Sequence, residues 1–118
     1  MADTVWVKTI STEGLAPSPK FGGLWRRWIT PSRANGGLIV ALGELRPGED
    51  MGWHAHPEAE VFYVLEGIAE ARWKEGDEEH LAELRPGMAF YKIGGIPHQM
   101  NNIGPSPFRG LGIKVGVV

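Results

Sequence analysis

The apolar positions of this chain fall in short runs, broken at close intervals by glycine, proline and polar residues. That punctuation predicts strands and tight turns rather than helices. Gly37 to Leu45 is the clearest run, too short and too β-branched for a helix. Glu60 to Glu66 is the second. Side chains alternate across a strand, so Glu60, Phe62 and Val64 share one face and Val61, Tyr63 and Leu65 the other. Both faces are apolar, and both are expected to be buried, as in a barrel or packed sandwich. Leu24 to Ile29, Ile68 to Trp73, His80 to Leu84, Ala89 to Ile93 and Phe108 to Val118 read as further strands, and Val5 to Ile10 alternates like an edge strand. Glu75-Gly76-Asp77 is a hairpin tip. Residues 13–23, 30–36 and 103–107 read as loops. About eight to ten strands with no long helix predict an all-β barrel or sandwich. The tripeptide Arg-Pro-Gly stands at 46–48 and again at 85–87, as expected of two similar halves in a double Greek key.

Composition narrows this picture. A chain of 118 residues fits one domain, here 1–118, with one modest core. Hydrophobic residues make up 42%, enough for a globular rather than a disordered chain. The net charge is -2 and no basic run exceeds Arg26-Arg27, so neither nucleic acid nor an anionic membrane is an expected partner. Cysteine is absent, which leaves only nitrogen and oxygen ligands for a metal. The first residues lack an apolar run of signal-peptide length, and no run spans a bilayer. The expectation is a cytoplasmic protein.

The candidate chemistry is concentrated in Gly48 to Gly67. His54 and His56 are one residue apart and point the same way on extended backbone; Glu60 shares their parity. Imidazole and carboxylate together suit a first-row divalent metal, and His98 is the natural fourth ligand. An unpaired Glu60 at the start of an apolar strand would be costly, and a cation relieves that cost. His80 lies in a Glu-rich hairpin and is expected to face solvent. Asn102 is read as a turn residue or hydrogen-bond partner. Met51, Trp53 and Met100 flank the ligands and line either a pocket or the core. Arg26, Arg27 and Lys92 are read as a solvated face rather than as anion recognition.

Two segments resemble a known family. Residues 48–67, with Gly48, His54, His56, Glu60 and Gly67, match every fixed position of the first motif of the cupins. Residues 87–102, with Gly87, Gly95, His98 and Asn102, match the second, except that Ile93 replaces its proline. The resemblance implies a double-stranded β-helix, or jelly-roll barrel of double-Greek-key topology. It also implies a metal held by His54, His56, Glu60 and His98, and a homodimer.

Four protein ligands leave an octahedral ion up to two open positions, for water, dioxygen or a bidentate substrate. One divalent transition metal per chain is expected, with Fe, Mn, Ni, Co, Cu and Zn all suited to the ligands. The leading reading is a dioxygenase-like enzyme acting on a small chelating substrate. The second is a non-redox isomerase, lyase or decarboxylase, which needs an acid or base near the metal; Tyr63, Tyr91 and Lys92 are the candidates. The third is a non-catalytic ligand- or metal-binding protein.

Overall fold

The computed structural model describes residues 4–116. Among them there is no helix, and the strands form two antiparallel sheets. The strands are β1 (Ala16–Pro17), β2 (Leu24–Ile29), β3 (Leu38–Leu45), β4 (Glu60–Glu66), β5 (Ala69–Glu75), β6 (Glu78–Leu84), β7 (Ala89–Lys92), β8 (His98–Asn102) and β9 (Phe108–Val115). The larger sheet runs β1-β2-β3-β9-β4-β7 and the smaller β6-β5-β8. The two sheets enclose a core that includes Leu45, Phe62, Val64, Ala69, Ala71, Phe90, Met100 and Phe108.

The strands follow from the pattern of the chain. β2 and β4 occupy the expected residues. Gly76-Asp77 joins β5 to β6, with Gly76 at a φ of 61°, where a residue lacking Cβ is favoured. The glycines of β9 make room for larger neighbours. A side chain at Gly110 would run into the ring of Phe62, and one at Gly112 would come within 3.0 Å of Glu60 Oε2.

Three expectations are corrected: the strand at Val5 to Ile10, the loop at 13–23, within which Ala16–Pro17 forms β1, and the two buried faces of β4; β8 is a further strand that the pattern did not mark. Val5 to Ile10 forms no strand; Val5 and Val7 are 86% and 97% exposed, because alternation without a neighbouring strand fixes nothing. His98 to Asn102 is a strand although no periodic apolar pattern marks it. Finally, only one face of β4 is buried. Glu60, Phe62 and Val64 face the core, whereas Tyr63 is 42% and Leu65 45% exposed. On the same outer face Leu42 of β3 is buried, so the exposure is confined to the β4 side of the larger sheet.

Candidate metal centre

The first histidines sit on the segment between β3 and β4, and β8 stitches that segment in place. The N–H of His54 donates to the carbonyl of His98 at 3.1 Å, and the N–H of His98 donates to that of His54 at 2.9 Å. The N–H of Gly95 donates to the carbonyl of His56 at 2.8 Å. Gly94 abuts Pro57 so closely that a Cβ there would strike its carbonyl. These contacts hold the turn before His98, where Ile93 replaces the motif proline and is itself exposed. His54, His56 and His98 therefore converge, their ligand atoms all within 4.8 Å of one another.

Each ring has a fixed tautomer. His54 Nδ1 contacts the carbonyl of Gly52 at 3.0 Å, His56 Nδ1 that of Glu58 at 2.9 Å, and His98 Nδ1 that of Ile96 at 2.8 Å. A carbonyl only accepts, so each Nδ1 carries the proton and each neutral ring keeps its lone pair on Nε2. Nε2 of His56 and of His98 is buried without a hydrogen-bond partner. Buried polar atoms normally find partners. Unpartnered lone pairs, converging and oriented by backbone carbonyls, fit a divalent cation. Burial also keeps two of the rings neutral: His98 is pushed down to about 3, and His54 is lowered for the same reason.

Glu60 stands beside this cluster. Its Oε1 is 3.4 Å from His56 Nε2 and 3.9 Å from His98 Nε2. The same oxygen is 2.8 Å from Lys92 Nζ, whose side chain is 3% exposed. The register explains the arrangement: Glu60 lies between Lys92 on β7 and Lys114 on β9. Burial alone would raise the Glu60 carboxyl, but the Lys92 ammonium beside it, with Lys114, outweighs burial and holds it well below the usual carboxylate range. Burial lowers the Lys92 ammonium, and Glu60 opposes that shift.

The structure brings His54, His56, Glu60 and His98 together. Tyr63 and Tyr91 it places elsewhere: both are on the outer face of the larger sheet, opposite in parity to Glu60, and Tyr91 is 63% exposed. Neither lies with the histidines. Lys92, read as solvated, is instead buried at the centre. His80 stacks on Trp73 and contacts Glu78, away from the cluster. Asn102 clamps backbone, donating to the carbonyls of Leu45 and Ser106 and accepting from the N–H of Gly104. Met51 and Met100 both belong to the core, and Met51 also reaches the cavity.

A cavity of about 770 Å³ opens onto His54, His56 and Glu60. Phe21, Trp25 and Met51 line its apolar part, with Phe21 stacked on His54 at 5.0 Å. Ala41 and Gly112, small residues on neighbouring strands, form part of its wall.

Residues 41–114 match the family model for the cupin domain, which is more than half of the chain. The chain belongs to the cupin family. Among solved structures, this cupin resembles a Cupin 2 conserved barrel domain protein from Salinispora arenicola, with a TM-score of 0.74 and 18% identity, over 95% of this chain and 89% of that one. It also resembles a conserved protein with a double-stranded β-helix domain from Klebsiella pneumoniae, with a TM-score of 0.72 and 21% identity, over 93% and 90% of the two chains. An oxalate decarboxylase from Bacillus subtilis gives a TM-score of 0.75 at 22% identity; the match covers 98% of this cupin but only 31% of that chain. No curated protein sequence matches. At these identities the structural likeness establishes the jelly-roll fold.

Proposed function

We propose that this cupin is a metal-dependent enzyme acting on a small chelating substrate, with dioxygenase-like chemistry. In this reading His54, His56 and His98 bind one divalent transition metal through Nε2, and Glu60 is the fourth ligand. The observation that carries it is the set of carbonyl-fixed tautomers, with buried, unpartnered Nε2 atoms on His56 and His98 beside an open cavity. A bound metal supplies Lewis-acid polarisation and, where redox-active, electron exchange with dioxygen. The chain contributes the rest. The backbone carbonyls hold the ring orientations, Phe21, Trp25 and Met51 exclude water from one side, and the cavity admits a small molecule. A cytoplasmic location belongs to the same reading.

One observation favours a second reading, a metal-dependent decarboxylase, isomerase or lyase. Such chemistry needs an acid or base at the metal, and the buried Glu60–Lys92 pair stands where the tyrosines do not. The oxalate decarboxylases among the structural neighbours share this fold.

Elemental analysis of tag-free protein, with oxygen uptake on a panel of small chelating substrates, separates the two. About one iron per chain with substrate-dependent uptake is the expected result. A metal-bearing protein that consumes no oxygen yet converts a small acid would replace the first reading by the second.

A further inference from the structure

The basic side chains of this protein are mostly partnered. Arg26 donates to the carbonyl of Glu13 and covers Trp28; Arg46, Arg72, Arg85 and Arg109 pair with carboxylates; Lys74 lies over Trp53; Lys92 pairs with Glu60. Among the described residues, the charged ends of Lys20, Arg27, Arg33 and Lys114 have no such ion pair, hydrogen bond or ring contact. Lys20, Arg27 and Lys114 all line the histidine cavity. They come from different parts of the chain: the loop before β2, β2 itself and β9. Against them the cavity offers two carboxylates, Glu58 and Glu60, and Glu60 is already held by Lys92.

The strand register shows how these cations face the ligands. Arg27 pairs with Ala41, Ala41 with Gly112 and Gly112 with Phe62, so small residues separate Arg27 from the core. Lys114 pairs with Glu60. It is close enough for its charge to act on both His54 and Glu60. A surplus of positive charge in a low-dielectric cleft concentrates anions there, even in a chain of net charge -2. A bound divalent metal strengthens the same bias.

We infer that the cavity takes a small substrate carrying a carboxylate, held by Arg27 and Lys114 at the wall while its chelating end faces the histidines. Lys20 at the mouth guides the anion inward. The inference rests on the metal-enzyme reading for its chelating end but not for its anionic end. Arg27 supplies a planar, two-pronged donor suited to a carboxylate, and Lys114 a point charge.

Calorimetric titration of the as-purified protein with malonate, and with malonamide as its uncharged counterpart, tests this. Malonate is expected to bind, and malonamide at least about tenfold more weakly. Arg27→Gln and Lys114→Gln should each weaken malonate binding about tenfold, with metal content unchanged. Arg33→Gln, which removes an unpaired cation outside the cavity, should leave it unaltered. Malonamide binding as tightly as malonate would overturn the inference, as would malonate binding indifferent to both substitutions. Metal analysis of the same samples keeps the two readings apart. Metal-free protein with malonate binding that depends on Arg27 and Lys114 sinks the metal enzyme and leaves the anion site. Metal-replete protein with indifferent binding does the reverse.

Discussion

Lys92 governs the electrostatics of the centre. An ammonium and a carboxylate buried together cost several kcal/mol of desolvation each, in broad terms, and persist only when paired closely. Glu60 and Lys92 meet this condition at 2.8 Å. The pair keeps Glu60 ionised while burial holds His54 and His98 neutral. The pH dependence follows from these shifts. His98 is pushed from 6.5 to about 3 in the folded protein, so the unfolded chain takes up its proton at a higher pH than the folded one. Stability is therefore full above about 6.5 and declines as pH falls through that value toward 3. Lowering of His54 and Glu60 acts in the same direction, Glu60 below its ordinary value of 4.5. Metal-free protein should melt roughly 10 °C lower at pH 4.5 than at pH 7.5, from a loss of about 2–3 kcal/mol. His98→Gln should flatten that slope. Melting temperatures that hold steady down to pH 4.5 would show that His98 is not held neutral by burial.

The decisive elements are the ligand segment before β4 and the turn before β8. They touch where Gly94 meets Pro57 and where Gly95 donates to His56. Gly94→Ala should force these backbones apart and move His56 away from His98. The expected result is metal binding weakened about 10- to 100-fold, the range seen when support around a ligand is lost. Unchanged binding would mean that the turn does not set the ligand spacing. Much of this was readable from sequence. β4 was legible because an apolar run lies between a proline-containing turn and Gly67, and the ligand spacing stood in the open at His54, His56 and Glu60. β8 was not, because His-Gln-Met-Asn-Asn has no apolar period; its buried polar groups serve the centre and a loop clamp. Lys92 was misread for a related reason. It shares inward parity with Phe90, but only the pairing of β7 with β4 shows that this parity ends at Glu60. Val5 to Ile10 shows the opposite error, a strand pattern that no partner strand completes.

For the whole molecule, the outer face of the larger sheet around β4, β7 and β9 is the most exposed apolar surface of the sheet. Tyr91, Val61, Ile113 and Val40 lie side by side across four strands on that face, beside the exposed Tyr63 and Leu65. Exposed apolar patches of this kind are surfaces on which proteins commonly associate. We propose that a second copy covers it, giving the homodimer expected from the family resemblance. Light scattering should give twice the mass of one chain, and Tyr63→Glu with Leu65→Glu should halve it without loss of metal. A monomeric parent protein would refute that proposal. The central claim is the histidine metal centre, and an equilibrium cobalt(II) titration tests it most directly. The parent protein and His80→Ala should bind one ion per chain, with His98→Ala weaker by at least about a hundredfold. No binding by the parent protein, or binding by His98→Ala as tight as the parent's, would contradict it.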